Sequence, residues 1–512
     1  MWVLGVAVVA LAVLLLLLLL RFYVHIALLR GSQRTIAFLH PFCNDGGGGE
    51  RVLWVAIREL LTRDDCASSG WRVVVYTGDA ASDDEIRAHA LARFGVEVPK
   101  SVTFVRLRLR PLIEPKRYPV ATLIFQALGS IVLAAEAVAR APPHVLVDTT
   151  GLHFCLPLLR LVGVPRLACY VHYPIISSDM VGAVKSRQHA HNNASIFASL
   201  AVGAALKLVY YHTLVRLYRV AGRRADVTMA NGSWTAGHLR ILWGVHPVIV
   251  FPPCDTRQLQ ELPLSPPPAA IRSAAGAAAS PVVARALGEV SRAASGVAGG
   301  DSLPRGRLVL SIAQFRPEKD HARQLRAFAA VLAEWHAGGA PAPRPMLVVA
   351  GAVRHEDDQR RLDELQTFWR RLDSEITRAT GHGDSDAVVF APNLPYAALQ
   401  LLLGHAAVGL HTMWNEHFGI GVVEMLAAGV ATIAHRSGGP ALDIIGEGTT
   451  GLLASTDDEY AEAMASLMIR PGAEARRMAI ATKGRASVAS RFSEDAFAEG
   501  WVAAMRPVMP SV

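Results

Sequence analysis

The first pattern along the chain is an uncharged apolar run over residues 2–20, closed by Arg21, with Arg30 and Arg34 just beyond it. About 20 such residues cross the hydrocarbon core of a bilayer as a helix. A cleaved leader would carry a basic head and a small-residue cleavage site, and neither is present. The arginines on the C-terminal flank predict that the body stays on the cytosolic side. Residues 1–30 therefore read as one signal-anchor helix.

After the anchor the pattern changes to short apolar runs alternating with helically spaced ones. Residues 36–39, 71–77, 102–107, 143–148 and 166–171 predict strands, and 50–61 predicts a helix after a glycine loop. Alternation of this kind implies βαβ units on a parallel sheet, so residues 31–256 read as one Rossmann-like domain. Two stretches in this half are unusually apolar. Residues 120–139, whose strongly polar members are Gln126 and Glu136, read as a buried helix. Residues 196–220 mix apolar positions with Lys207, Arg216, Arg219, Tyr210, Tyr211 and Tyr218, and this composition predicts a helix lying at a membrane interface.

Residues 257–304 are rich in Ala, Pro, Ser and Gly and read as a low-complexity linker or insert. Strand patterns then resume at 307–312, 346–351, 387–391, 407–410 and 431–435, which predicts a second Rossmann-like domain over 305–490. A helix over 493–505 falls in the terminal segment, 491–512. The fold class is thus α/β, with two doubly wound domains facing a cleft plus one N-terminal transmembrane helix.

Composition narrows the function. The 512 residues are 52% hydrophobic and 18% charged, which excludes a disordered chain. The net charge of +8 suits anionic partners such as phosphate-bearing substrates or acidic headgroups. No long Lys/Arg run is interleaved with aromatics, so no nucleic-acid partner is expected. Five scattered cysteines without a CxxC pair argue against a disulfide framework and a zinc site, and predict free thiols.

Three segments carry candidate chemistry. Gly46-Gly47-Gly48-Gly49 precedes Glu50 and the predicted helix, where free N–H groups can meet a phosphate or a sugar hydroxyl. It is neither GxGxxG nor a P-loop, which weakens a nicotinamide dehydrogenase reading. Gln314-Phe315-Arg316-Pro317-Glu318-Lys319 follows the first strand of the second domain, and its two cations can bracket a diphosphate. In the third, Trp414 to Glu424, two carboxylates, Glu416 and Glu424, stand on either side of the turn Phe418-Gly419-Ile420-Gly421, and Ser437-Gly438-Gly439-Pro440 is a further glycine turn. Asp384-Ser385-Asp386 spells a metal-binding DxD, but it sits in a polar loop before a strand and reads as a solvated turn.

The Glu-x7-Glu pair with Arg-x-x-Lys upstream resembles the retaining GT-B glycosyltransferases of family four. His40-Pro41-Phe42-Cys43-Asn44 with Gly46 to Trp54, Tyr170-Val171-His172-Tyr173-Pro174-Ile175-Ile176-Ser177, and Asn231-Gly232-Ser233-Trp234-Thr235 are similar to its branch of dolichol-linked oligosaccharide α-1,2-mannosyltransferases. The similarity covers most of 36–256 and 305–500, and the 257–304 stretch departs from it.

The resemblance implies GDP-mannose as donor and a dolichol-diphosphate-linked oligosaccharide as acceptor, at the cytosolic face of the endoplasmic reticulum membrane. Other early mannosyltransferases of that pathway are implied as partners. Arg316 and Lys319 would hold the diphosphate, Glu416 the mannose and Glu424 the ribose, with Phe418, Gly419 and Ile420 shaping the donor site. Gly48 and Gly49 would line the donor phosphate, His172 would sit near the reacting sugar, and Gly47, Asn231 and Ser233 would lie on the acceptor side. No metal is expected to be required. A sister enzyme with another lipid-linked acceptor or donor stays open, as does a membrane-anchored scaffold with a degenerate enzyme fold.

Overall fold

The computed structural model describes residues 2–62, 70–175, 201–264, 284, 307–340 and 344–509. Cys66, Ile176, Ser177, the start of the 196–220 stretch and most of the 257–304 stretch lie outside the described residues. The chain divides into two compact units, Met1–Pro253 with Phe497–Val512, and Cys254–Ala496.

The first unit opens with α1 (Trp2–Leu29), longer than the apolar run because Phe22 to Leu29 continue the same helix. It is followed by β1 (Thr35–Leu39), α2 (Gly48–Thr62), β2 (Arg72–Thr77), α3 (Asp83–Phe94), β3 (Thr103–Arg106), α4 (Thr122–Arg140) and β4 (Val145–Asp148). Then come α5 (Leu156–Leu161), β5 (Arg166–Val171), α6 (Ala201–Gly222), β6 (Val227–Ala230), α7 (Ser233–Trp243) and β7 (Val248–Ile249). All pairings are parallel, in the order β3-β2-β1-β4-β5-β6-β7. Strands β6 and β7 carry no strand expectation from the sequence; β6 is four residues of a wholly buried run, too short to stand out as a periodic pattern.

The central strands β1 and β4 are buried on both faces, as a parallel sheet between helices requires. Register decides where the chemistry goes. Leu39 pairs with both Tyr76 and Asp148, and Val171 pairs with Ala230. The residues just past these strand ends, His40, Thr149, His172 and Asn231, therefore emerge along one edge of the sheet. Strand β1 lies between β2 and β4, so the order reverses there, and ligands of open α/β sheets bind at such switch points.

The second unit contains α8 (Arg257–Gln260), β8 (Leu308–Ile312), α9 (His321–Ala337), β9 (Met346–Gly351), α10 (Glu356–Thr380), β10 (Val388–Pro392), α11 (Tyr396–His405) and β11 (Val408–His411). It continues with α12 (Ile420–Ala427), β12 (Ala431–His435), β13 (Leu452–Ala454), α13 (Asp457–Met468) and α14 (Ala473–Arg491). Its parallel sheet has the order β10-β9-β8-β11-β12-β13, with the switch point between β8 and β11. The 257–264 part of the low-complexity stretch is ordered on this unit: Leu259 is fully buried.

The last helix, α15 (Glu494–Met505), sends Phe497 and Trp501 into the core of the first unit, where Trp501 stacks on Phe38. The 120–139 stretch also differs from the buried helix read from sequence. As α4 it buries one face, including Leu133, Ala134 and Ala137, and leaves Phe125, Leu128 and Val132 exposed. Of 196–220, the described part is the helix α6, which buries Leu214 and Tyr218 and exposes Leu217 and Val220. Cys43, Cys155, Cys169 and Cys254 are buried free thiols, as the scattered spacing implied.

Candidate active site

In the first unit the glycine loop is held by groups at both of its ends. Asp79 takes the front: its Oδ2 accepts from the Asn44 N–H at 3.1 Å and from the Thr77 hydroxyl at 3.0 Å, while Arg110 donates to its Oδ1 at 2.8 Å. Glu50 takes the back, with Oε2 accepting from the Gly47 N–H at 2.6 Å and Oε1 3.6 Å from His40 Nε2. Burial pushes the Glu50 carboxyl up, but the facing His40 and the loop N–H groups outweigh it, and the net shift is down. Helix α2 starts at Gly48, so the N–H groups of Gly48 and Gly49 are among the first of a helix, which its own ladder leaves without partners.

His172 closes this cluster. Its Nε2 lies 3.6 Å from the position a Cβ on Gly49 would take, with His40 Cε1 at 3.9 Å. That Nε2 is shielded from solvent and has no hydrogen-bond partner among the described residues. Burial holds the imidazole at about 4, so it is neutral at physiological pH and can bond a hydroxyl without repelling a cation. His40 Nδ1 is 2.7 Å from the Thr149 hydroxyl, which fixes its ring. Asn231 is buried, donates its N–H to Val171 O and leaves Oδ1 unsatisfied; Ser233 is the first residue of α7. Cys43, three residues ahead of Gly46, is no nucleophile, because burial pushes its thiol up to about 12.

In the second unit, Lys319 at the end of the β8 loop reaches across the switch point to the β11 loop. Its Nζ lies 2.7 Å from Glu416 Oε2 and 3.0 Å from Met413 Sδ. His411, the last residue of β11, places Nε2 3.3 Å from the same carboxylate oxygen. Burial raises the Glu416 carboxyl, but His411 and Lys319 reverse this and hold it far below the usual carboxylate range. The site therefore keeps a fixed anion beside a fixed cation. Arg316 is not drawn into this pair; its Nε stands 3.8 Å from Asp358 Oδ1.

Backbone shape finishes the second-unit site. Gly438 has φ +64°, and a Cβ there would come 2.2 Å from Glu416 O. Gly439 donates its N–H to that same oxygen at 2.7 Å, and Ser437 Oγ accepts from the Asn415 N–H at 2.8 Å. The two segments singled out by sequence, 414–424 and 437–440, are thus locked to each other. Gly419, at φ +108°, is the residue before α12; Ile420 opens that helix, Phe418 is buried and Glu424 lies in its second turn.

Sequence reasoning missed His411, Met413 and Asp79. His411 lies five residues before Glu416, at the end of a strand that had been located, so its position was the available signal. The Asp384-Ser385-Asp386 motif is occupied: Asp384 bonds His336 at 2.6 Å, and Arg344 bridges Asp386 at 2.7 Å. Asp384 is buried by these partners, which a solvated turn would not be.

Residues 33–243 match the family described as ALG11 mannosyltransferase N-terminus, and residues 302–485 match glycosyl transferases group 1. The GDP-Man:Man(3)GlcNAc(2)-PP-Dol alpha-1,2-mannosyltransferase of Mus musculus is 39% identical over 93% of this chain and 87% of its own length. This chain belongs to the GDP-Man:Man(3)GlcNAc(2)-PP-Dol alpha-1,2-mannosyltransferase family. Members from Homo sapiens, 39% identical over 91% of this chain and 85% of theirs, and Dictyostelium discoideum, 36% over 93% and 85%, show the same match.

Solved structures share the fold at low identity. The alpha,alpha-trehalose 6-phosphate synthase of Burkholderia multivorans has a TM-score of 0.59 at 16% identity, covering 93% of this chain and 99% of that one. The sucrose-phosphate synthase of Thermosynechococcus elongatus has a TM-score of 0.58 at 17% identity, with the same coverage. The α-1,2-mannosyltransferase family thus has the GT-B fold in this chain, and Lys319 and Glu416 are paired within it.

Proposed function

We propose that this chain transfers mannose from GDP-mannose, in α-1,2 linkage and with retention, to dolichol-linked Man(3)GlcNAc(2), adding the fourth and fifth mannoses. The observation that carries this reading is identity to the named mannosyltransferases along nearly the whole chain. The Lys319–Glu416–His411 cluster supports it from the side of chemistry.

In this reading the diphosphate of GDP-mannose takes the Lys319 ammonium, with Arg316 as a second cation, and the mannose hydroxyls face Glu416. The sugar C1–O bond to the diphosphate breaks as the acceptor O2 attacks C1 from the same face. The acceptor proton passes to the departing phosphate oxygen. The cations stabilise the charge that grows on the leaving group, which is the largest effect a fixed site supplies. In this scheme Glu416, held in place by Lys319 and His411, accepts sugar hydroxyls rather than attacking C1. Glu424 binds the ribose hydroxyls. Gly48, Gly49 and the neutral His172 line the donor phosphate and the reacting sugar; Gly47, Asn231 and Ser233 belong to the acceptor side.

No divalent metal is needed in this scheme, since lysine and arginine supply the positive charge and the DxD carboxylates are already paired. The enzyme is placed in the endoplasmic reticulum membrane as a single-pass protein, its catalytic units cytosolic, with α1 as anchor. The apolarity of α1 and the arginines after it support this placement.

The test is a transfer assay with protein in detergent, GDP-mannose, lipid-linked Man(3)GlcNAc(2) and EDTA, read by mass spectrometry. A gain of one or two hexoses removable by α-1,2-mannosidase is the expected result. Transfer only to a shorter glycan would move the protein to a sister activity, and a requirement for added metal would remove the metal-free scheme.

A further inference from the structure

Helix α4 has an apolar face that the described residues leave about half exposed. Phe125, Leu128 and Val132 stand 43%, 53% and 45% exposed at helical spacing, and Val120 precedes them at 69%. Most soluble helices would carry polar side chains there. The loop leading into the helix is basic and aromatic: Arg108, Lys116 and Arg117 are exposed, and Tyr118 stacks on Phe125 at 5.3 Å. Aliphatic, aromatic and cationic side chains together are the composition of a surface at headgroup depth.

The anchor says what lies against this face. Helix α1 packs on α4, and along it Leu19, Phe22, Ile26 and Arg30 form the stripe turned toward the unit. Ile26 is fully buried, and Leu19 and Phe22 join the cluster that holds Leu133, Ala134 and Ala137 of α4. Arg30 donates to Gly163 O at 2.7 Å. The end of the helix is therefore part of the fold, not a free tether. At ~1.5 Å per residue, residues 2–20 span about 28 Å, close to the ~30 Å hydrocarbon core. Leu19 and Arg21 then mark the membrane boundary, and the part of the unit that touches Leu19 sits at that level.

We propose that the α4 face, Val120 through Val132, is a second membrane contact, lying in the headgroup layer of the leaflet that α1 leaves, with the 108–117 loop drawn to anionic lipid. The inference rests on α1 being an anchor and not on which glycan is transferred. It fits an enzyme whose acceptor is a lipid, because the first unit would be held flat against the surface that presents it.

The test uses the full chain in nanodiscs with and without an anionic phospholipid. With Cys66→Ser in place, single cysteines at Phe125→Cys, Leu128→Cys, Val132→Cys, Val13→Cys and Leu91→Cys carry an environment-sensitive fluorophore, quenched by doxyl-labelled lipid. Leu91, on α3, is 53% exposed like Leu128 and serves as the aqueous control. Quenching at the three α4 positions well above that at Leu91, and stronger with anionic lipid, is expected. Quenching at Val13 but not on α4 overturns the proposal and leaves the anchor standing. No quenching at Val13 overturns the anchor and the proposal together. Shielding on α4 without lipid quenching, accompanied by cross-links between chains, assigns the face to a second copy and also overturns it.

Discussion

Lys319 and Glu416, 97 residues apart in sequence, meet at 2.7 Å where the β8 and β11 loops cross. The pair is part-buried, so it is screened less than a surface ion pair and acts as one electrostatic unit. A donor diphosphate entering this site meets a lysine whose position is already set.

Lys319→Ala should lower kcat/KM for GDP-mannose by about 10²-fold or more, the usual cost of losing one fixed stabiliser of a leaving charge. Steady-state kinetics with the lipid-linked acceptor saturating checks this. Wild-type turnover would remove Lys319 from the chemistry.

His411→Leu should act through Glu416. Glu416 is held low in the fold, so its contribution to stability is present above the ordinary carboxylate range and is lost as pH falls through the folded value. Without His411 that folded value rises. The acid limb of the kcat/KM profile should then move to higher pH, and His411→Gln, which keeps an N–H donor, should restore part of the difference. An unmoved profile would reduce His411 to packing.

His172 should titrate at about 4, against about 6.5 for an unfolded chain. Between those values the unfolded state binds a proton that the fold refuses, so the stability due to His172 is complete above about 6.5 and falls as pH drops toward 4. Imidazole NMR should show no protonation of this ring at pH 6. His172→Gln should keep more activity than His172→Ala, because its amide can still bond a hydroxyl.

Gly438→Ala should disable the second-unit site outright. The new Cβ would meet Glu416 O at 2.2 Å in a left-handed conformation that alanine resists. Activity should fall at least as far as in Lys319→Ala, while Gly448→Ala, whose added Cβ meets nothing within 4 Å, should cost only the backbone strain. Thermal melts alongside the assay separate loss of the site from loss of the fold.

Asp384→Ala should change stability and not metal dependence. It removes the partner of His336 and Arg344 at a buried position, and breaking such a pair costs about 3–5 kcal/mol. Calorimetry should show a lower Tm, and EDTA should leave both proteins equally active. A selective loss of metal-stimulated activity would return the motif to catalysis.

The sequence by itself determined the class of fold, since buried strand runs alternating with amphipathic stretches can close only as parallel βαβ layers. It also marked the glycine turns and the 414–424 segment, because positive φ and close backbone approach leave few residue choices. The anchor was legible from unbroken apolarity. Strands β6, β7 and β13 were not, being two to four residues long and fixed by their neighbours in the sheet.

Only the tertiary structure decided the rest. The register of β8 with β11 sets Lys319 against Glu416, and the place of His411 beneath that carboxylate follows from the same pairing. Asp79 gathers Asn44 from the segment before the glycine loop, Thr77 from the end of β2 and Arg110 from the segment after β3. Helix α4 looked buried because apolarity along one element cannot say how many of its faces find partners. That depends on which elements the fold brings alongside, and here one face meets α1 and the core while Leu128 and Val132 on the other stay exposed among the described residues.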